Sequence, residues 1–180
     1  MLAIQGDFEA HGRALSALGC EPIEVRRPEA LASLDALVLP GGESTTIAKG
    51  LREYGIVDSL REFARSGRPV LGTCAGLIVL DRNHLGLIEI EARRNAFGRQ
   101  VRSFETDLEV RGLGDEPLRA VFIRAPWIER WGEGVEVLAE VDGHPVVARE
   151  HNILVAAFHP ELTDDLRLHA LFLSMRAVSV

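Results

Sequence analysis

A chain of 180 residues with 47% hydrophobic residues is long enough to bury a substantial core as one domain, residues 1–180, without disulfide or metal staples. No apolar run reaches a membrane span, no basic-then-apolar leader opens the chain, and a net charge of -7 argues against nucleic acid or an anionic membrane as partner. With only Cys20 and Cys74, a four-cysteine zinc site is excluded, and both thiols are expected to stay reduced in a cytoplasmic protein.

Taken in order, residues 2–5 are a short apolar strand, and Phe8, Leu15 and Leu18 recur at helical spacing until Gly19 stops the helix. Residues 23–25 give a second strand, a short helical piece follows Pro28, and the continuous apolar run 36–39 suggests a strand buried on both faces. Three β-type runs joined by helices imply parallel strands with right-handed crossovers. The third run ends in Pro40-Gly41-Gly42-Glu43-Ser44, where Ser44 or Thr45 can cap a helix carrying Ile47, Leu51 and Tyr54. A further helix over 57–64 stops at Ser66-Gly67, and Pro69 opens the next strand.

That strand runs into Gly72-Thr73-Cys74-Ala75-Gly76, followed by an apolar run of helical length. A cysteine bracketed two residues each side by glycine, between a strand and a helix, fits a nucleophile elbow. Such a turn holds the nucleophile in a tight corner at the sheet edge, exposed, with its sulfur at a helix N-terminus that favours thiolate. The plainer alternative is a small buried cysteine filling a gap between strand and helix.

Beyond Leu80 the pattern changes to strand-like runs at 88–92, 104–110, 120–123, 135–141, 146–149 and 153–158, with Asp142-Gly143 as a hairpin turn that His144-Pro145 could lengthen. A last helix starting near Asp164 or Asp165 places Leu168, Leu171, Phe172 and Met175 on one side. The expected fold class is α/β, a three-layer sandwich with a mostly parallel central sheet of flavodoxin-like type plus added antiparallel strands.

A nucleophilic cysteine needs a base, and the base needs a group that fixes its tautomer. Among six histidines, His11, His84, His144 and His169 are adequately explained as surface or packing residues, and His151 precedes a strand. His159 ends one, which puts it at the carboxyl edge of the sheet where Cys74 is expected. If the chain stays extended through Pro160, Glu161 projects to the same side as His159 and can meet the imidazole. The alternative is a strand-end histidine beside a glutamate that caps a helix. Gly41-Gly42 lies at the end of another parallel strand, so its backbone and the Ala75 N–H could together hold an oxyanion.

Leu39-Pro40-Gly41-Gly42-Glu43-Ser44-Thr45-Thr46, Gly72-Thr73-Cys74-Ala75-Gly76-Leu77-Ile78 and Phe158-His159-Pro160-Glu161-Leu162 look like the three motifs of the class I (triad) glutamine amidotransferases. Arg94-Asn95-Ala96-Phe97-Gly98-Arg99-Gln100 and Phe122-Ile123-Arg124-Ala125-Pro126 resemble segments typical of the glutaminase subunits of pyridoxal 5'-phosphate synthases, and the similarity covers nearly the whole chain. The resemblance implies a Cys74, His159, Glu161 triad, an oxyanion hole from Gly42 and Ala75, and glutamine contacts from Gly42, Glu43, Ser44, Arg94, Ile123 and Arg124. It implies no cofactor and no metal. Ammonia would pass to a (β/α)₈-barrel synthase subunit in a hetero-oligomer, and the glutaminase would stay quiet until docked. Relative to that family the chain has a short start before its first strand and a short loop at Asp81-Arg82-Asn83-His84. Two other readings remain open from the residues: a glutaminase subunit of another amidotransferase, or a non-hydrolytic thiol redox or stress protein on a related fold. Neither the RNAFGRQ nor the FIRAP segment favours the first, and a sensor thiol needs neither Glu161 nor the glycine turn.

Overall fold

The fold is that of a computed structural model, which describes residues 1–97 and 103–175. The continuous apolar runs form the centre of the sheet. β1 (Leu37–Leu39), β2 (Val70–Thr73) and β9 (Ile153–Ala156) are buried along their whole length and pair in parallel, β2 in the middle. β8 (His144–Glu150) and β7 (Glu136–Val141) continue the sheet antiparallel to β9, giving the order β1-β2-β9-β8-β7. The central sheet is therefore mixed, parallel where helices cross over and antiparallel where tight hairpins connect.

The two first strands expected from the sequence are reduced to a single parallel bridge between Leu2 and Val25. Leu2 N–H donates to the Val38 carbonyl, so these remnants extend the sheet beyond β1. Each offers only two or three apolar residues before a polar turn, too little to propagate a ladder. The helical piece after Pro28 is a 3₁₀ segment, Pro28–Ser33, whose Leu31 is buried in the core and accepts a hydrogen bond from Arg68.

α1 (Phe8–Ala17), α2 (Ser44–Glu53), α3 (Val57–Arg65), α4 (Ala75–Leu80) and α5 (Arg167–Ser174) pack their apolar faces on the sheet. α5 begins later than expected because Asp165 accepts a hydrogen bond from the Arg167 N–H and also binds its guanidinium, fixing the entry to the helix. Its Leu168 and Phe172 are fully buried, with Leu171 and Met175 packed partly against the core. One apolar cluster runs from Met1 to Phe172. Among the described residues no helix is long and apolar enough to cross a membrane.

Two further pairs stand apart from the central sheet. β3 (Ile90–Arg93) pairs with β6 (Trp127–Trp131), and β4 (Ser103–Leu108) with β5 (Leu118–Ile123), both antiparallel. β4 shows the expected alternation, outward polar residues against inward Phe104 and Leu108. β6 has no counterpart in the sequence reading, since Pro126 precedes it and only Ile128 within it is buried. The Asp142-Gly143 turn is two residues long, with φ of 51° and 76°, the doubly positive geometry of a tight hairpin. His144-Pro145 does not lengthen it; both belong to β8.

Candidate active site

The parallel part of the sheet aligns three carboxyl ends. β1 leads into Gly41-Gly42, β2 into Cys74, and β9, the neighbour of β2, toward His159. The register Thr73 opposite Ala156, with Cys74 N–H donating to the Ala156 carbonyl, brings the cysteine level with the end of β9. That edge is where open α/β sheets gather ligands.

Cys74 has φ 47° and ψ -104°, a strained conformation for a residue with a side chain. Such strain costs on the order of 1–3 kcal/mol and persists only where packing enforces it. The two flanking glycines do so. A Cβ on Gly76 would lie 2.1 Å from the Leu39 carbonyl oxygen, and one on Gly72 would lie 2.5 Å from Leu80. The cysteine is not exposed as the elbow pattern suggests, retaining 7% of its surface. Gly41 packs against its Cβ, and its sulfur lies 3.9 Å from the Ile123 carbonyl.

His159 and Glu161 are equally covered. Past His159 the chain is not extended: Pro160, whose fixed φ suits a first helical position, starts a 3₁₀ turn, Pro160–Leu162. The turn still delivers the carboxylate, and Glu161 Oε1 lies 2.7 Å from His159 Nδ1. Cys74 and the His159 ring meet across Gly41, where an added Cβ would lie 2.4 Å from His159 Cε1 and 3.4 Å from Cys74 Cβ. Burial alone would lower the His159 pKa, but the hydrogen bonds and charges of Cys74 and Glu161 outweigh it and raise the value to about 10. The site thus favours the protonated ring over the neutral one.

A cleft of about 620 Å³ opens over this edge, a size suited to a small molecule. Gln5, Gly6, Asp7, Gly41, Gly42, Glu43, Ser44, Cys74, Ala75, Ile78, Arg94, Asn95, Ile123, Arg124, Pro126 and His159 line it. Every residue proposed from the sequence except Glu161, which stands behind His159, is therefore on its wall. The Ser44 hydroxyl does not cap α2; it is buried in the cleft wall without a hydrogen-bond partner among the described residues. Glu43 occupies the cap position, and its carboxylate accepts the Thr45 and Thr46 hydroxyls. Those hydrogen bonds, with smaller help from Arg94 and Arg124, lower the Glu43 pKa.

Arg94 and Arg124 sit on adjoining turns, tied by the Ala96 N–H to the Ala125 carbonyl. Phe97 supports the first turn through edge contacts with Phe104, Phe122 and Trp127, at centroid distances of 5.0, 5.5 and 5.4 Å. Gly98, Arg99 and Gln100 of that segment lie outside the described residues.

Several cleft residues carry no signal in the sequence reading. Gln5 Oε1 accepts the Glu43 N–H at 2.7 Å, and Gly6, with φ 106°, lets the Gly41 carbonyl approach so closely that any Cβ would collide with it. Their place after the first apolar run, at the same sheet edge, is the hint that could have found them. Asp7 brings a third ligand atom within 4.8 Å of those of His159 and Glu161, but Glu161 Oε1 is already engaged by His159. His11 and His169, set aside as surface or packing residues, are fully buried behind the site.

The chain matches the SNO glutamine amidotransferase family model over residues 1–178. It is 53% identical to the pyridoxal 5'-phosphate synthase subunit PdxT of Niallia circulans, covering 97% of this chain and 95% of that one. With the subunit of the same name from Carboxydothermus hydrogenoformans it shares 51% identity over 96% and 94% of the two chains. A crystal structure described as a glutamine amidotransferase superposes with a TM-score of 0.93 at 52% identity, covering 98% of this chain and 97% of that one.

Proposed function

The chain belongs to the SNO glutamine amidotransferase family, and from that premise we propose that its cleft hydrolyses the side-chain amide of L-glutamine to supply ammonia for pyridoxal 5'-phosphate synthesis. The observation that carries the reading is the line Cys74, His159, Glu161 at the ends of two adjacent strands, with the imidazole Nδ1 2.7 Å from the Glu161 carboxylate. A thiol sensor has no use for a buried carboxylate that orients a base.

The Cys74 thiolate attacks the carboxamide carbon, and the carbonyl electrons move onto oxygen. Backbone N–H groups of Gly42 and Ala75 receive that oxyanion; one such donor contributes roughly 2.7 to 4 kcal/mol in acyl-transfer enzymes. His159, already protonated, gives its proton to the departing nitrogen, and the C–N bond breaks to release ammonia and leave a γ-glutamyl thioester. The now neutral ring takes a proton from water, whose oxygen attacks the thioester and frees glutamate and the thiolate. Glu161 holds the Nδ1–H throughout. At the other end of the substrate, Glu43 suits the α-ammonium and Arg94 and Arg124 the α-carboxylate, with the unpaired Ser44 hydroxyl and Ile123 completing the wall.

Ammonia leaves for a synthase subunit, read as a (β/α)₈ barrel that docks this chain in the cytoplasm, one glutaminase domain per barrel. The Gly41-Gly42 peptide is the natural switch for such docking, since Gly42 has φ 146° and Gly41 carries no Cβ against His159. The test is release of glutamate and ammonia from glutamine with and without a synthase partner. Hydrolysis that appears or rises strongly with the partner supports the reading; an absence of hydrolysis in both conditions contradicts it.

A further inference from the structure

Behind Glu161 lies a second buried polar chain drawn from three more elements. His11 of α1 faces Thr73 at the end of β2, with Nε2 to Oγ1 at 3.1 Å, and His169 of α5, with Nδ1 to Nε2 at 2.9 Å. The same His11 Nε2 stands 3.3 Å from Glu161 Oε2, the carboxylate oxygen that His159 does not use. That oxygen is buried and has no well-aligned hydrogen bond among the described residues, while His11 Nε2 stands within ion-pair reach of it.

The tautomers follow from two independent arguments. Glu161 is an anion opposite His159, so a bare lone pair on His11 Nε2 would face a buried negative oxygen at 3.3 Å, whereas an N–H there is attracted to it. At the far end, His169 Nδ1 is buried with no hydrogen-bond partner among the described residues. If His169 donated nothing to His11, that Nδ1 would carry an orphaned N–H; if His169 donates through Nε2, Nδ1 holds only a lone pair, the less costly of the two. Both arguments put the proton of His11 on Nε2, where Thr73 Oγ1 accepts it and Glu161 Oε2 attracts it from 3.3 Å, and the proton of His169 on Nε2. Burial, then the positive charge that His169 and His159 would carry, lowers the His11 pKa well below its usual value, so the ring stays a neutral donor. The groups facing it are Thr73, Glu161, His159 and His169, with the Met1 amino group further off and Asp7 near Glu161 at the cleft mouth.

We propose that His11 is a positioning residue of the hydrolytic triad: its Nε2–H holds the second oxygen of Glu161, and His169 locks the tautomer that makes this possible. The inference rests on the reading of Cys74, His159 and Glu161 as that triad. His11 touches neither substrate nor the reacting atoms; it acts by fixing the carboxylate that fixes the base.

Two substitutions separate this role from plain packing. His11→Gln places an amide N–H near the Nε2 position and keeps the donor to Glu161. His11→Asn keeps an acceptor for His169 near Nδ1 but cannot reach Glu161. With glutamine and the synthase partner, His11→Asn is expected to lower kcat about tenfold with KM within about twofold, and to move the alkaline limb of kcat/KM down, because Glu161 helps to raise the His159 pKa and a less firmly held carboxylate does so less. His11→Gln recovers most of the rate and the original limb. Equal losses in both variants with an unchanged pH profile, or no loss in either, would overturn the proposal. Should the unsubstituted protein fail to hydrolyse glutamine, the proposed function falls, and the pH dependence of Cys74 alkylation by iodoacetamide, followed on the Cys74 peptide, reads the same shift in His11→Asn alone.

Discussion

Gly41 is the position where one added carbon tests the geometry most sharply. A Cβ there would sit 2.4 Å from His159 Cε1, 3.0 Å from Nδ1 and 3.4 Å from the Cys74 Cβ. Ordinary contact begins near 3.4 Å, so the imidazole must retreat by about 1 Å. It cannot swing outward, being 7% exposed and tied to Glu161 at 2.7 Å. A displacement of about 1 Å in a catalytic base costs roughly 100-fold in rate, which is about 2.7 kcal/mol of barrier. Gly41 is not among the positive-φ residues, so alanine adds no backbone strain to confuse the result. Gly41→Ala should therefore fold, with a stability loss of about 1–3 kcal/mol from overpacking, and lose glutamate release about 100-fold in the presence of the synthase partner. Thermal melting beside the glutaminase assay separates the two effects. A Gly41→Ala protein within threefold of the normal rate would refute the placement of His159 against this glycine.

Other perturbations follow from the same geometry. Gly6→Ala would drive a Cβ to 1.7 Å from the Gly41 oxygen at a φ of 106°, so it should lower both the melting temperature and glutamate release; a native-like protein would show that this approach is not required. The His159 pKa lies above its unfolded value, so the folded state holds more protons and that contribution to stability is full below about pH 6.5 and lost as pH rises through about 10. Glu161→Gln removes one cause of the shift; the alkaline limb of kcat/KM should move down, and the melting temperature should fall less steeply over that range than in the unsubstituted protein. Arg94→Ala and Arg124→Ala should each raise KM for glutamine roughly tenfold or more with a smaller change in kcat, the range expected for a charge-assisted hydrogen bond to a carboxylate. A kcat loss at unchanged KM would instead tie them to the reacting end.

What the sequence made legible follows its strongest physical signals. Leu37–Leu39 and Val70–Thr73 were readable as central strands because nothing in them is polar enough to face water, and Gly72 and Gly76 marked the elbow because no larger residue clears Leu80 and Leu39. His159 was selected by its place at a strand end, which the parallel pairing of β2 and β9 explains. The first strands came out as one bridge because their apolar stretches are too short to form a ladder. β6 stayed hidden behind Pro126 and the charged pair Glu129-Arg130. Cys74 was expected at the surface, but exposure depends on what other segments cover it, here Gly41 and Ile123. His11 shows the same limit: helical periodicity accounts for it as packing, while its partners Thr73, Glu161 and His169 are brought together only by the fold.

The central claim is that glutamine is opened on Cys74. The direct measurement is mass analysis of the Cys74 peptide after rapid acid quench of the protein with glutamine and its synthase partner. The account predicts a single glutamyl group on Cys74 during turnover, with neither adduct nor glutamate from Cys74→Ala. Glutamate that accumulates at the normal rate from Cys74→Ala would contradict it.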